Sequence, residues 1–340
     1  MRIDTGLVAD NLRDAPRMAR VAEEIGFDAL WSSETQHDPF LPLALAAEHT
    51  ERIELGTAIA VAFARNPMST AYIAWDLAKM SQGRLILGLG TQVKAHIERR
   101  FSMAWDSPAP RLREFILALR AIWDTWQNGS RLNFRGDFYQ HKLMSPFFNP
   151  GPIDHPDIPI YIAGINEHLC RLAGELCEGF HVHPLHSAKY LEEFILPNIQ
   201  RGMDNAGRTR AEIQLVAPVF VITGTNQAET DQVREEVRAQ ISFYASTPSY
   251  RPVFACHGWE DVAERLSRLA ARGKWMEMPT LVTDDMLSVF AVEGEWDELP
   301  SKIMTRYDGL LDRVMYYYLG QRPEIEPASW RSVVAAFHEV

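Results

Sequence analysis

The sequence has few cysteines, no long apolar run and an excess of acidic over basic side chains. Its three cysteines, Cys170, Cys177 and Cys256, lack Cys-x-x-Cys spacing, which argues against a disulfide framework and a zinc knot. No eighteen uncharged apolar residues follow one another, so no membrane-spanning helix is predicted. The formal net charge of -11 repels phosphate backbones and anionic lipid. We therefore expect neither nucleic acid nor membrane as a partner.

A complete dinucleotide-binding fingerprint is also missing. The segment RLILGLGTQ, residues 84–92, runs from an apolar strand into Gly88-Leu89-Gly90 and resembles the start of such a loop. The fingerprint requires a third small residue, which lets the next helix pack close to the strand, but Val93 occupies that position. At least three strand-like runs also precede this segment, whereas the fingerprint follows the first strand of its unit. These glycines therefore need another explanation.

Short β-rich runs alternate with helical patterns along the chain. Each helix would return the chain to the same edge of a parallel sheet, and eight such units favour a closed α/β barrel, the (β/α)8 TIM barrel. Large insertions are predicted after strands 4 and 7. With 46% apolar and 23% charged residues, the chain can form a large core, and we expect residues 1–340 to be a single domain. The predicted strands are residues 2–9, 27–31, 52–62, 84–90, 159–164, 179–183, 213–223 and 312–319.

The loops after the carboxyl ends of barrel strands build the active site, so the residues at those ends are candidates for ligand contact. Gly90 and Gly164 stand there and permit close approach of a ligand. In AGINEH, Gly164, Ile165 and Asn166 open a helix whose free N–H groups and positive dipole end favour an anion, most plausibly phosphate. A basic run after Gly90 is compatible with a solvated helix face or with a role in holding an acidic cofactor tail; it comprises Lys94, His96, Arg99 and Arg100.

The segment HVHPLH, residues 181–186, has the His-x-His spacing of some metal sites. Metal-dependent barrel hydrolases need further ligands at other strand ends, commonly carboxylates. Asp312 lies at the wrong end of the last predicted strand. We therefore expect no metal, although a metal-dependent hydrolase remains an alternative. His37, in the loop ETQHD, is a better candidate for proton chemistry.

Two segments of the chain resemble the bacterial luciferase-like family of flavin- and deazaflavin-dependent oxidoreductases. They are IELGTAIAVAFARNPMSTAYIAWDLAKMSQGRLILGLGTQ and PIYIAGINEHLCRLAGELCEGFHVH. The specific features are Leu-Gly-Thr on the third strand, Asn-Pro before the third helix, Ser-x-Gly-Arg before the fourth strand and Gly-x-Gly-Thr after it. The resemblance implies a barrel that binds a tricyclic flavin-type ring at its mouth.

The resemblance also implies roles for individual residues. A non-proline cis peptide between Ala58 and Ile59 would form a bulge in the third strand, behind the ring. Gly164, Ile165 and His183 would meet the cofactor's phosphate, with Asn166 at the same helix start. The ring and the ribityl chain would be lined by Thr57, Ala58, Ile59, Gly90, Thr91 and Gln92.

The subgroup that the chain resembles most uses the deazaflavin coenzyme F420. The implied activity is hydride transfer between this coenzyme and a small organic substrate, apolar or aromatic, in a pocket lined from Phe63, Phe101 and Trp105. An FMN-dependent monooxygenase that uses oxygen and reduced flavin is the main alternative, because the fold serves both cofactors. A non-catalytic flavin-binding barrel also remains open.

After the second strand, the sequence differs from that of the family members that oxidise sugar phosphates. Those members carry an Asp-His pair where this chain has Glu34-Thr35, followed by His37, and a glutamate near the position of Val93. A sugar-phosphate substrate is therefore not expected, and His37 and Glu34 are the candidates for catalytic proton transfer. Apolar second and third helices predict a homodimer. The N-terminal segment MRIDTGLVAD has no signal-peptide-like apolar stretch, so we expect a cytoplasmic protein.

Overall fold

The computed structural model describes residues 1–317 and 327–339. Within these ranges eight parallel strands form a closed ring in the order β1, β2, β3, β5, β8, β9, β10, β12, and β12 pairs again with β1. The predicted (β/α)8 barrel is confirmed. The strands are β1 (Arg2–Gly6), β2 (Ala29–Ser32), β3 (Glu54–Thr57), β4 (Ala60–Val61), β5 (Leu85–Gly90), β6 (Phe134–Arg135), β7 (Gln140–His141), β8 (Ile160–Ala163), β9 (Gly179–His181), β10 (Gln214–Ile222), β11 (Ala291–Glu293) and β12 (Arg313–Tyr317).

Helices cover the outside of the barrel and begin and end at residues with clear capping chemistry. Asn66 accepts a hydrogen bond from the Ser69 N–H, and Pro67 takes the first helical position of the third helix. Gly26 ends the first helix in the left-handed conformation. The helices are α1 (Ala15–Ile25), α2 (Phe40–His49), α3 (Pro67–Met80), α4 (Lys94–Arg99), α5 (Pro108–Asn128), α6 (Glu167–Leu176), α7 (Ala188–Tyr190), α8 (Leu196–Ala206), α9 (Gln227–Ala245), α10 (Arg251–Ala255), α11 (Glu260–Ala271), α12 (Asp284–Phe290), α13 (Leu299–Tyr307) and α14 (Pro327–His338).

The third barrel position is shared by two short strands. β3 pairs with β2 and β5, and β4 continues along β5. Between them the peptide bond from Ala58 to Ile59 is cis. The non-proline cis bond expected from the family resemblance is therefore confirmed at the expected position.

Insertions follow the fourth and seventh barrel strands, as predicted. The first contains α4, α5 and the β6–β7 hairpin, and the second contains α9 to α13. The sequence reading missed β11, which pairs with the end of β10 from Phe220 to Ile222. β10 has nine residues and β9 only three, so the upper part of β10 has a free edge that β11 occupies. Residues 318 and 319 of the predicted last strand lie outside the described ranges.

A buried ionic network closes the amino-terminal end of the barrel. Arg313 donates to both carboxylate oxygens of Asp4, at 2.8 and 2.9 Å, and its other nitrogen donates to Glu54 at 2.5 Å. Trp31 donates its indole N–H to Asp4 at 2.8 Å. Asp4 and Arg313 are almost completely buried, so removal of one partner would leave a charge in the interior. The opposite, carboxyl-terminal end of the barrel carries the loops in which ligand-binding residues are expected.

Two further predictions concern the cysteines and the absence of a membrane-spanning helix. Cys170 and Cys177 are buried and free, so they are thiols of the core. None of the described helices is both long enough and apolar enough to cross a membrane.

Candidate active site

The direction of each side chain at the barrel mouth follows from the alternation along the strands. Asp4, Trp31 and Arg313 face the interior, and residues two positions apart on a strand share a face. Trp31 packs in one interior cluster with Tyr161, against which Ala58 and Met315 also pack. On each strand, the interior-facing residue two positions after this cluster, toward the carboxyl end, therefore lies at the mouth.

Small and apolar residues form the floor of the mouth. They are partly exposed, whereas the interior residues beneath them are buried. We call this set the apolar floor; its members are Ala58, Ile59, Ala163, Pro218 and Met315. Because they offer no charge and little bulk, the floor is suited to a flat, apolar ring.

We call the side of the mouth formed by β3, β4, β5 and β8 the glycine half. Its strands pack closely because glycines stand where a side chain would clash. A Cβ on Gly88 would lie 1.7 Å from the Thr57 carbonyl oxygen, and one on Gly90 would lie 2.7 Å from Ile59 Cδ1. The Thr57 hydroxyl donates to the Gly88 carbonyl at 2.6 Å and accepts from the Gly88 N–H at 2.9 Å. The glycines at 88 and 90 therefore let β3 and β4 approach β5, and the Thr57 hydroxyl is used within the wall.

The loop after β5 is ordered by its own polar groups. Gln92 has a positive φ of 60° and its side-chain oxygen accepts from the Val93 N–H at 3.0 Å, while the Thr91 hydroxyl donates to the Gln92 carbonyl. In the basic run that follows, Lys94 lies 3.8 Å from Glu98. Arg100 donates to the Thr35 carbonyl at 2.6 Å and so ties this loop to the loop after β2.

The start of α6 presents hydrogen-bond donors beside the floor. Asn166 caps the helix by accepting from the Leu169 N–H at 3.0 Å, and the other N–H groups of the first turn have no partner within the helix. A Cβ on Gly164 would lie 2.5 Å from Leu169 Cβ. Gly164 therefore allows close packing of α6 on its own loop, in addition to the ligand approach predicted for it. The carbonyl of Ile165 accepts from the Tyr190 hydroxyl at 3.3 Å.

The opposite side of the mouth, which we call the aromatic half, consists of His183, Tyr244, Tyr250 and Tyr317. The His183 ring stacks on Tyr250 at 4.2 Å and meets Tyr244 edge-on at 4.7 Å. The Leu185 N–H donates to His183 Nδ1 at 3.1 Å, so a neutral ring carries its proton on Nε2. Burial, with a smaller effect of His186, lowers the pKa of His183 to about 3. Near neutral pH His183 is therefore an uncharged donor.

Tyr317 ends β12 and completes the aromatic half. Its hydroxyl lies 2.6 Å from that of Tyr244, and its ring packs edge-on against Phe220 at 5.0 Å. Sequence reasoning missed Tyr244, Tyr250 and Tyr317 as site residues. The alternation along β12 contained the information for Tyr317, because a buried Arg313 places residues 315 and 317 on the interior face.

The two residues predicted to transfer protons differ in their surroundings. The Glu34 carboxylate accepts from the Val61 N–H at 2.7 Å and pairs with Arg65 at 2.6 Å, so it anchors the chain after the cis bond. His37 is exposed on the loop after β2. Their catalytic roles stay predictions, and the structure gives Glu34 a structural role as well.

The histidines of HVHPLH are distributed over different environments. His181 lies inside the barrel against Trp31, and burial lowers its pKa to about 3. His186 is buried behind the wall, and burial lowers its pKa to about 4. In the described part of the chain, no group of three His, Cys, Asp or Glu side chains could hold a metal ion.

The predicted apolar pocket is only partly open. Phe63 is completely buried beneath Trp105, with a centroid distance of 5.8 Å, and Arg111 lies over its other side at 4.6 Å. Phe101 and Trp105 are partly exposed. Phe63 therefore supports the wall from behind and does not line it.

Comparisons with known proteins identify the family of the chain. The sequence model of a family described as luciferase-like monooxygenase matches residues 1–313. An uncharacterized protein of Mycobacterium tuberculosis is 47% identical over 319 residues and covers 94% of both chains. A putative coenzyme F420-dependent oxidoreductase of the same species is 25% identical over 284 residues, with 79% of this chain and 80% of that protein covered.

The same architecture is found in a solved structure. Coenzyme F420-dependent tetrahydromethanopterin reductase from Methanopyrus kandleri superposes with a TM-score of 0.78 at 22% identity, covering 100% of this chain and 99% of that one. At this identity the likeness shows a shared fold. From the match over residues 1–313, together with the barrel and its mouth, we conclude that the chain belongs to the luciferase-like monooxygenase family.

Proposed function

We propose that the protein is a coenzyme F420-dependent oxidoreductase that transfers hydride between the deazaflavin and a small organic substrate. The main support is the apolar floor. The backbone of the glycine half borders it on one side, and the hydrogen-bond donors of the aromatic half border it on the other. The F420-dependent relative named above supports the choice of cofactor.

The residues at the mouth fit a flat ring with an anionic tail. The floor is uncharged and partly exposed, which suits the ring. The N–H groups at the start of α6 and His183 Nε2–H are hydrogen-bond donors, which suit a phosphate. Glu167, in the first turn of α6, pairs with Arg171 at 3.1 Å, so its negative charge is compensated. Gly164, Ile165, Asn166 and His183 would hold the phosphate, and Thr57 to Ile59 with Gly90 to Gln92 would line the ring and ribityl chain.

The chain's own groups would bind and orient the reactants. Coenzyme F420, when bound, supplies two-electron hydride chemistry. The floor would support the ring, and the fixed tautomer of His183 makes Nε2–H the donor that this ring could offer to the tail. The rings of Tyr244 and Tyr250 limit the access of water from the side of α9.

The test is an equilibrium titration of the purified protein with coenzyme F420 and, separately, with FMN, followed by tryptophan fluorescence. N-acetyltryptophanamide, titrated in parallel, corrects for absorption of the exciting light by the ligands. Micromolar or tighter binding of F420 alone is the expected result. A preference for FMN would favour the oxygen-using monooxygenase instead. Binding of neither would contradict both proposals.

We also propose that the protein is a cytoplasmic homodimer. The apolar helices α2 and α3 leave Leu41 and Met80 exposed, by 55% and 44% respectively. The partly exposed Ala44 and Leu45 lie on the same helix as Leu41 and extend this apolar surface beyond single residues. Sedimentation velocity at micromolar concentration should show a dimer, and a monomer there would contradict the proposal.

A further inference from the structure

Reduction of a carbonyl group by hydride needs a proton donor beside the apolar floor. Hydride adds to carbon and leaves a negative charge on oxygen, which must be neutralised in the same pocket. The Glu34 carboxylate is engaged by Arg65 and the Val61 N–H, so it is poorly placed to act as an acid. The wall opposite the glycine half presents hydroxyl groups.

Tyr317 stands next to the floor by the geometry of its strand. Met315 belongs to the floor, and Tyr317 follows it on the same face of β12, roughly 7 Å farther along. Tyr317 is partly exposed, so its side chain is accessible from the mouth. The edge of Phe220 supports its ring at 5.0 Å.

The Tyr317 hydroxyl is held in place by a second tyrosine. Tyr244 Oη lies 2.6 Å from Tyr317 Oη, and the Tyr244 ring is itself fixed against His183. A hydrogen bond between two phenols becomes stronger when one of them loses its proton, because the remaining hydroxyl donates to a negative oxygen. Tyr244 is therefore positioned to stabilise Tyr317 as a phenolate.

We propose that Tyr317, assisted by Tyr244, binds and protonates the oxygen of an uncharged, flat carbonyl compound that lies over the apolar floor. This inference rests on the proposed function, which supplies the hydride donor. His183 and Tyr250 stack on each other at 4.2 Å and form the rest of this wall. None of the residues named for the wall and the floor carries a carboxylate, guanidinium or ammonium group, so we take the substrate to be uncharged, and the apolar floor favours a flat one.

The proposed reduction consumes one hydride and one proton. Hydride from the reduced deazaflavin, the two-electron donor, forms a C–H bond at the carbonyl carbon. The π electron pair of the C=O bond moves to oxygen, which takes the Tyr317 hydroxyl proton. The Tyr317 phenolate regains a proton from Tyr244, and Tyr244 regains one from water. An alcohol and the oxidised deazaflavin are the products.

The test uses acetophenone as the carbonyl probe and three variants. Tyr317→Phe and Tyr244→Phe each remove one hydroxyl of the pair and keep the ring. Tyr316→Phe is the matched control, because Tyr316 lies on the outer face of β12 against Trp330 at 5.1 Å. Near-ultraviolet circular dichroism establishes that each variant is folded.

Two measurements separate binding from chemistry. Saturation-transfer NMR gives the affinity for acetophenone without any cofactor, and Tyr317→Phe should weaken it about fivefold, the value of one hydrogen bond. Oxidation of reduced F420 by acetophenone gives kcat and KM. Tyr317→Phe should lower kcat about 100-fold and Tyr244→Phe about tenfold, with smaller changes in KM. Tyr316→Phe should change none of these values.

The possible failures have different meanings. If the unmodified protein does not bind acetophenone, or if Tyr317→Phe turns over as fast as the unmodified protein, the inference about the tyrosine pair is wrong. Binding of both ligands without turnover would likewise overturn the proton-donor role. If acetophenone binding depends on Tyr317 but F420 does not bind, the proposed function fails while the pair's role in holding a carbonyl group is supported.

Discussion

The glycine half and the aromatic half of the mouth are built in opposite ways. In the glycine half, glycines allow β3, β4 and β5 to pack closely, and the Thr57 hydroxyl forms hydrogen bonds with the Gly88 backbone. In the aromatic half, large side chains from the loop after β9, from α9 and from β12 converge, and the hydroxyl groups of Tyr244 and Tyr317 contact each other. One side of the mouth therefore provides shape, whereas the other provides hydrogen-bond donors and rings.

The two halves also differ in where their residues lie along the chain. The glycine half comes mainly from residues 56–92, a compact run of strand, helix and strand. Tyr244 and Tyr250 of the aromatic half belong to the insertion after β10. Insertions can change without changing the barrel strands, so the aromatic half is where we expect substrate preference to be set.

Adding a methyl group inside the glycine half should produce the largest effect. In Gly88→Ala the new Cβ would lie 1.7 Å from the Thr57 carbonyl oxygen and 2.8 Å from His181 Nε2. Backbone must move to relieve the first contact, so we expect a loss of about 3 kcal/mol in the free energy of unfolding. Urea denaturation followed by circular dichroism measures this loss.

The control for this variant is Gly207→Ala. Gly207 has a positive φ of 68° and open space around the position of a Cβ. Only backbone strain should result, at about 1 kcal/mol. Equal losses in the two variants would mean that close strand packing is not what the glycine at 88 provides.

The aromatic half should make stability depend on pH, with a somewhat smaller effect. The pKa of His183 is lowered to about 3 by burial, from an ordinary value near 6.5. Below pH 6.5 the unfolded chain binds a proton at this residue that the folded protein does not, so stability falls as pH falls from 6.5 toward 3. Between pH 7 and pH 5 this single histidine should cost about 2 kcal/mol.

The variant His183→Asn isolates that contribution. Urea denaturation at pH 7 and pH 5 should show a pH-dependent loss that is smaller by about 2 kcal/mol in the variant than in the unmodified protein. His181 and His186, whose pKa values burial also lowers, remain in both proteins and cancel in the comparison. Identical losses would show that His183 is not kept neutral by the fold.

A methyl group at Gly90, where the glycine half borders the floor, should have the smallest effect of the three changes. In Gly90→Ala the Cβ would lie 2.7 Å from Ile59 Cδ1, the flexible end of a side chain that can turn away onto the floor. We expect little change in stability and about tenfold weaker F420 binding, equivalent to about 1.4 kcal/mol. Unchanged affinity in the fluorescence titration would place the ring somewhere other than beside Ile59.

Prediction from the sequence succeeded where the determining residues are close together in the chain. The apolar strands and helical patterns predicted the barrel, because each βα unit is a local pattern that repeats. Residues 53–92 carried the motif resemblance from which the cis bond between Ala58 and Ile59 was expected, and the structure contains it. β11 was missed because it depends on the difference in length between β9 and β10, which becomes visible only when both are paired.

The barrel and its two insertions were predictable from the sequence, because the alternation of apolar strands with helical patterns is a local property. That Gly88 and Gly90 let β3 and β4 pack closely on β5 became visible only in the folded chain. Three further features became visible only in the folded chain. The Glu34 carboxylate pairs with Arg65, Phe63 is buried, and the Tyr244 hydroxyl contacts the Tyr317 hydroxyl. The physical reason is that hydrogen bonds and ring contacts act over a few ångströms. Barrel closure brings β12 beside β10, and the insertion after β10 then places α9 over the end of β12.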